Sequence, residues 1–102
     1  MSDKDWKLFR SRLPEWQERY MDKLCREYIA ILIEDGNPSD RFWQLEKRIN
    51  RDKHHVGVQA RVSRSEMVPD ILSLIDEKAI TPEDLEGFSE ELKERVSYRF
   101  EG

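Results

Sequence analysis

The chain is short of several things, and each shortage closes off a class of protein. Only one of its 102 residues is a cysteine, Cys25, so no disulfide forms within the chain. Its two histidines are neighbours, His54 and His55. Adjacent residues on a helix point about 100° apart, so this pair cannot share a metal as histidines four apart do, and no metal site is expected. Four glycines stand singly, and none builds a phosphate-binding loop, a G-x-S-x-G elbow or a D-x-D-x-D-G calcium loop. No H-E-x-x-H occurs either. The longest apolar run, Tyr28 to Ile33, is six residues, against the roughly 20 that span a membrane. The start MSDKDWK has no apolar signal core. The expected object is a soluble, cytoplasmic protein with no cofactor and no catalytic residue.

What is abundant is charge. Asp, Glu, Lys and Arg make up 39% of the chain, against about 25% in ordinary globular domains. Disorder is argued against by 25 Leu, Ile, Val and Phe residues, a share above the roughly 20% below which chains fail to pack. The charge is also blocked. Residues 1–40 carry net −2, residues 41–64 net +5 and residues 65–102 net −7. Such polarity predicts either that the basic middle pairs with the acidic C-terminal part, or that each meets its own partner.

Apolar spacing is helical almost throughout. Leu13, Trp16, Tyr20, Leu24, Tyr28, Ile31 and Leu32 recur every three or four residues, which predicts an amphipathic helix over about 14–35. Pro14 sets its start, separating it from a short helix over 2–12 with Trp6 and Phe9, and Gly36-Asn37-Pro38 stops it. Phe42, Leu45 and Ile49 mark a helix opening at Pro38. Residues 54–62 alternate only weakly (Val56, Val58, Ala60, Val62) and read as an extended connector. Ser63 or Ser65 caps the next helix, with Ile71, Leu74 and Ile75 on its stripe. Thr81-Pro82-Glu83-Asp84 is a strong helix start, and Ser89 opens a last helix carrying Leu92, Val96 and Phe100. The expected fold is a single domain over 1–102: an all-α, compact bundle of four to five helices around the central one. Leu32, Phe42 and Ile49 are expected in its core with the other stripe residues.

Two features bear on partners. Arg41, Lys47, Arg48, Arg51 and Lys53, with Trp43 among them, form a candidate basic patch for nucleic acid. A helix-turn-helix over 70–87 fails, because residues 81–91 carry five carboxylates and no basic side chain. The other feature is the run Tyr28–Ile33, apolar all the way round. Ile29 and Ile33 lie opposite the Leu24 stripe, where a surface helix shows charge. The first reading is that neighbouring helices cover both sides, making this the bundle's central strut. The second is that Ile29 and Ile33 form a partner contact, with a protein partner or a second copy in a homodimer.

With LPEWQERYM, FWQLEKRI and DLEGFSEELKE in view, the chain resembles a group of small, uncharacterised all-helical bacterial proteins, some of which carry transporter labels that its residues contradict. The resemblance implies an all-α fold and no chemistry. The sequence therefore points to a non-catalytic interaction or accessory module. The alternatives are a nucleic-acid-binding protein using residues 41–64 and, behind it, a small enzyme with an unrecognised pocket. For packing, Leu24→Ala is expected to cost about 2–5 kcal/mol; a thermal melt identical to the parent's would refute the stripe assignment.

Overall fold

Ser2 opens the chain's longest helix: its side-chain oxygen accepts from the Asp5 N–H at 3.2 Å, with Asp3 and Asp5 in the first turn. The computed structural model describes residues 2–59 and 61–101; Met1, Gly102 and Ala60 of the weak alternation lie outside that description. From Ser2, α1 runs without interruption over Asp3–Leu32, about 45 Å. The expected break at Pro14, and with it the separate helices 2–12 and 14–35, is corrected. Pro14 removes one backbone hydrogen bond and crowds the carbonyl four residues back, ordinarily a loss of about 3 kcal/mol. Here it sits on the exposed side, while Phe9, Leu13 and Trp16 bury the opposite side in one core. Burial before and after the proline holds the rod in line.

Gly36, at φ +129°, turns the chain, and Pro38 begins α2 (Pro38–Asp52). Five connecting residues fold α2 back antiparallel on the last turns of α1 as a helical hairpin. Turns over 53–58 then return the chain to α1. Gln17 Nε2 donates to the carbonyls of Val56 and Gln59 at 2.9 and 2.7 Å. His55 Nδ1 accepts from the Gly57 N–H at 2.9 Å, and its Nε2 lies 3.3 Å from the Ser73 carbonyl, so the tautomer with hydrogen on Nε2 satisfies both contacts. A single turn, Arg64–Glu66, leads into α3 (Met67–Asp76), which closes at Lys78 in the left-handed region. At Thr81 the cap forms, its N–H donating to Asp84 Oδ2 at 2.8 Å. The helix predicted there is only the turn Pro82–Leu85, because the chain reverses at Gly87, φ +91°. α4 (Glu90–Val96) and a last turn Ser97–Phe100 complete an all-α fold with no strand among the described residues.

The core lies against the first three quarters of α1. Phe9, Leu13, Trp16, Tyr20 and Leu24 pack on Met67, Ile71 and Leu74 of α3, on Leu92 and Val96 of α4, and on Leu85 and Phe88 between them. Asp5, buried in this body, accepts from the Ser89 N–H at 2.8 Å and from Ser89 Oγ at 2.6 Å, while Ser89 Oγ caps α4 by accepting from Leu92 at 3.2 Å. Burial alone would raise the Asp5 pKa; the hydrogen bonds from Ser89 and Ser2 and the N-terminal charge together hold the carboxyl below its ordinary value.

The acidic C-terminal segment meets cations of α1 as well as its own Lys93 and Arg99, which pair with Glu90 and Asp76. Arg12 donates to the carbonyls of Asp84 (2.8 Å) and Glu86, Arg19 pairs with Asp84 at 3.0 Å, and Lys23 donates to the Glu77 carbonyl at 2.7 Å. The expected pairing of segment 41–64 with this region is corrected for Arg41, Arg48 and Arg51, whose hydrogen bonds stay within the hairpin.

The body and hairpin give an elongated molecule, 51 × 27 × 18 Å. No helix among the described residues is long and apolar enough to cross a membrane. A Cβ on Gly57 would lie 2.3 Å from a ring carbon of the buried Tyr20. Gly57→Ala is therefore expected to destabilise by about 1–3 kcal/mol, read as a lower urea midpoint at unchanged slope.

Candidate interaction surface

Past Leu24, α1 runs off the end of the body with α2 beside it. Arg41, Leu45, Arg48 and Asp52, spaced four, three and four residues apart, form the side of α2 turned to α1. Three of the four are charged. The apolar residues Phe42 and Ile49 are rotated by about 100° from that line and are exposed, Phe42 by 61%. Expected core positions Leu32, Phe42 and Ile49 are thus corrected: polar side chains took the inner line, and the apolar stripe beside it faces outward.

A hydrogen-bonded cluster makes the polar inner line workable. Tyr28 Oη donates to Asp52 Oδ2 at 2.7 Å, and Arg51 Nε to Asp52 Oδ1 at 3.1 Å. Arg48 Nη2 bonds Glu27 at 2.6 Å and reaches Asp52 at 3.4 Å, with its guanidinium 5.7 Å from the Tyr28 ring centre. Asp52 is buried. Burial pushes its pKa up, but the bonds from Tyr28 and Arg51 and the charge of Arg48 together hold it below the ordinary carboxylate value. The same contact works the other way on Tyr28, whose hydroxyl is pushed up by burial and by its bond to Asp52. Arg48 is held in its charged form chiefly by Glu27, against burial.

Beside this cluster runs a shallow groove of about 200 Å³ lined by Met21, Leu24, Cys25, Tyr28, Ile49, Asp52, Lys53 and Val58. Leu32 and Phe42 continue the same side, four residues on from Tyr28 and seven back from Ile49. Toward the tip, the rings of Phe42 and Trp43 meet edge to face at 4.9 Å.

Ile29 and Ile33, 58% and 76% exposed, share the outer side of α1 and are not covered by the chain's own helices. The central-strut reading is corrected, because α2 covers one side of this segment and no described element covers the other. The five basic candidates do not make one surface. Arg41 donates to the Glu34 carbonyl at 2.7 Å, and Arg48 and Arg51 belong to the Asp52 cluster. Lys53 borders the groove while Lys47 lies on another side of α2. Sequence reasoning missed Glu27, Tyr28 and Asp52 as a unit. The available signal was the Arg48/Asp52 pair four residues apart, facing a tyrosine at the end of an apolar stripe.

Comparison of the chain with known protein families, curated proteins and solved structures gives no match.

Removing the Asp52 charge leaves Arg48 without one of its two carboxylates. Asp52→Asn is expected to lose about 2 kcal/mol at pH 7. Because the folded-state pKa lies below the unfolded one, this stabilisation is complete above pH ~4 and disappears as pH falls through the folded value. Urea melts of parent and variant should therefore converge in acid; a constant difference from pH 7 to pH 2 would refute the assignment.

Proposed function

We propose that the protein is a non-catalytic interaction module of the cytoplasm that docks through the α1/α2 hairpin. One observation carries this reading. Of the large apolar side chains exposed among the described residues, all but Tyr98 belong to the hairpin: Ile29, Leu32, Ile33, Phe42, Trp43 and Ile49. Scattered apolar residues are ordinary on a surface, but a concentration on one projecting element marks a contact site. Phe42 and Trp43 are also of the types that dominate binding energy at interfaces. A nucleic-acid reading draws little support, since the charges of Arg48 and Arg51 are met by carboxylates of the chain itself.

A photo-crosslinking amino acid placed at Trp43, and separately at the exposed Glu94 of α4, tests the assignment in the producing cell. Discrete adducts from position 43 and none from position 94 are expected. No adduct from either position, or adducts from 94 alone, would overturn it.

A further inference from the structure

The hairpin face has a size and a charge pattern that identify its occupant. Ile49 lines the groove, Leu32 and Phe42 continue its side by helical spacing, and Ile29 follows Cys25 by one turn toward the outer side of α1; all four are about half exposed. Taking a large side chain as roughly 200 Å², they present on the order of 400 Å² of apolar surface. A standard interface buries about 800 Å² per partner, of which about 56–65% is apolar. The face is thus close to one half of a small stable interface, with its polar rim supplying the rest.

The rim has a polarity along the hairpin. At the tip stand Glu34 and Asp35, whose side chains have no partner among the described residues, with Arg41 beside them bonded to the Glu34 carbonyl. At the opposite end, beside the groove, stands Lys53, likewise without a polar partner there. A second hairpin laid parallel would set acids on acids. Laid antiparallel, it sets the acids of each tip over the lysine of the other root, with both apolar faces between them.

We infer that the occupant is a second copy of this chain: two α1/α2 hairpins pack antiparallel across a two-fold axis, completing a four-helix bundle with the bodies at opposite ends. This rests on the interaction-module reading above and names its partner. A two-fold contact is self-complementary, and one face carrying acid at one end and base at the other meets that requirement. A lipid surface is the competing occupant for a projecting Phe-Trp tip, but Glu34 and Asp35 would be pressed against anionic headgroups.

Light scattering on the 102-residue chain as it elutes, across a concentration series from low micromolar upward, tests this. The expected mass is about twice 12.3 kDa. Phe42→Glu with Ile49→Lys, both exposed positions, should return the mass to that of one chain with an unchanged helical circular dichroism spectrum. Asp35→Lys and Lys53→Glu should each weaken the dimer about tenfold, and the two together should restore it.

A monomer at every concentration overturns the inference. So does a dimer indifferent to the Phe42/Ile49 change, or one whose charge reversals fail to rescue each other. A monomer that binds vesicles of anionic lipid through the same residues assigns the face to lipid and overturns it as well. Crosslinks from position 43 to another protein, with the chain monomeric, would sink the dimer while leaving the interaction-module reading intact; no crosslinks at all would sink both.

Discussion

Length is the constraint on which the rest of this molecule depends. A 30-residue helix measures about 45 Å, while the core that stabilises α1 is built between Phe9 and Leu24, a stretch of about 22 Å. No arrangement of ten-residue α3 and seven-residue α4 can clothe the whole rod. The helix must therefore overrun its own body, and its last turns need cover from elsewhere. α2 supplies that on one side only, and the elongated 51 Å molecule follows.

The cover that α2 gives is chemically unusual. Most helix pairs are joined by interlocking apolar ridges, whereas this one places Arg48 and Asp52 at the centre and meets them with Glu27, Arg51 and Tyr28, leaving the buried Arg48 Nε without a partner among the described residues. Desolvating such a cluster recovers little net stability compared with apolar residues of the same volume. Its effect is positional. Charges fixed to one another across two helices permit few rotations of α2, so the cluster determines which side of α2 faces outward, and with it the exposure of Phe42 and Ile49.

This also explains what could be read from the sequence and what could not. The body was legible because its stripes are conventional: Phe9, Leu13, Trp16 and Tyr20 on α1, Ile71 and Leu74 on α3, and Leu92 and Val96 on α4 each stand three or four residues apart with charge behind them. The caps at Ser2, Thr81 and Ser89 were equally plain. Pro14 misled because a propensity acting on one bond was set against burial on both sides of it, and burial won. On α2 two lines of residues share one period, 41/45/48/52 and 42/45/49, and hydropathy favours the second. The polar line prevails inside only because Glu27 and Tyr28, more than twenty residues earlier, meet it. That pairing is a tertiary fact with no local signature. The outward side of Ile29 and Ile33 was visible as an anomaly, but what lies over it is decided by the size of the body.

The bond between Asp5 and Ser89 has a consequence for how the chain assembles. It joins residues 84 apart, near the two ends, and the body's core is closed by the same long-range contacts. The hairpin, by contrast, is made from partners between seven and 24 residues apart. Loop-closure entropy rises with separation, and local contacts form first. During synthesis the hairpin can fold while the segment that completes the body has yet to emerge. All the hairpin's residues therefore leave the ribosome before Ser89 and α4, whose arrival completes the core.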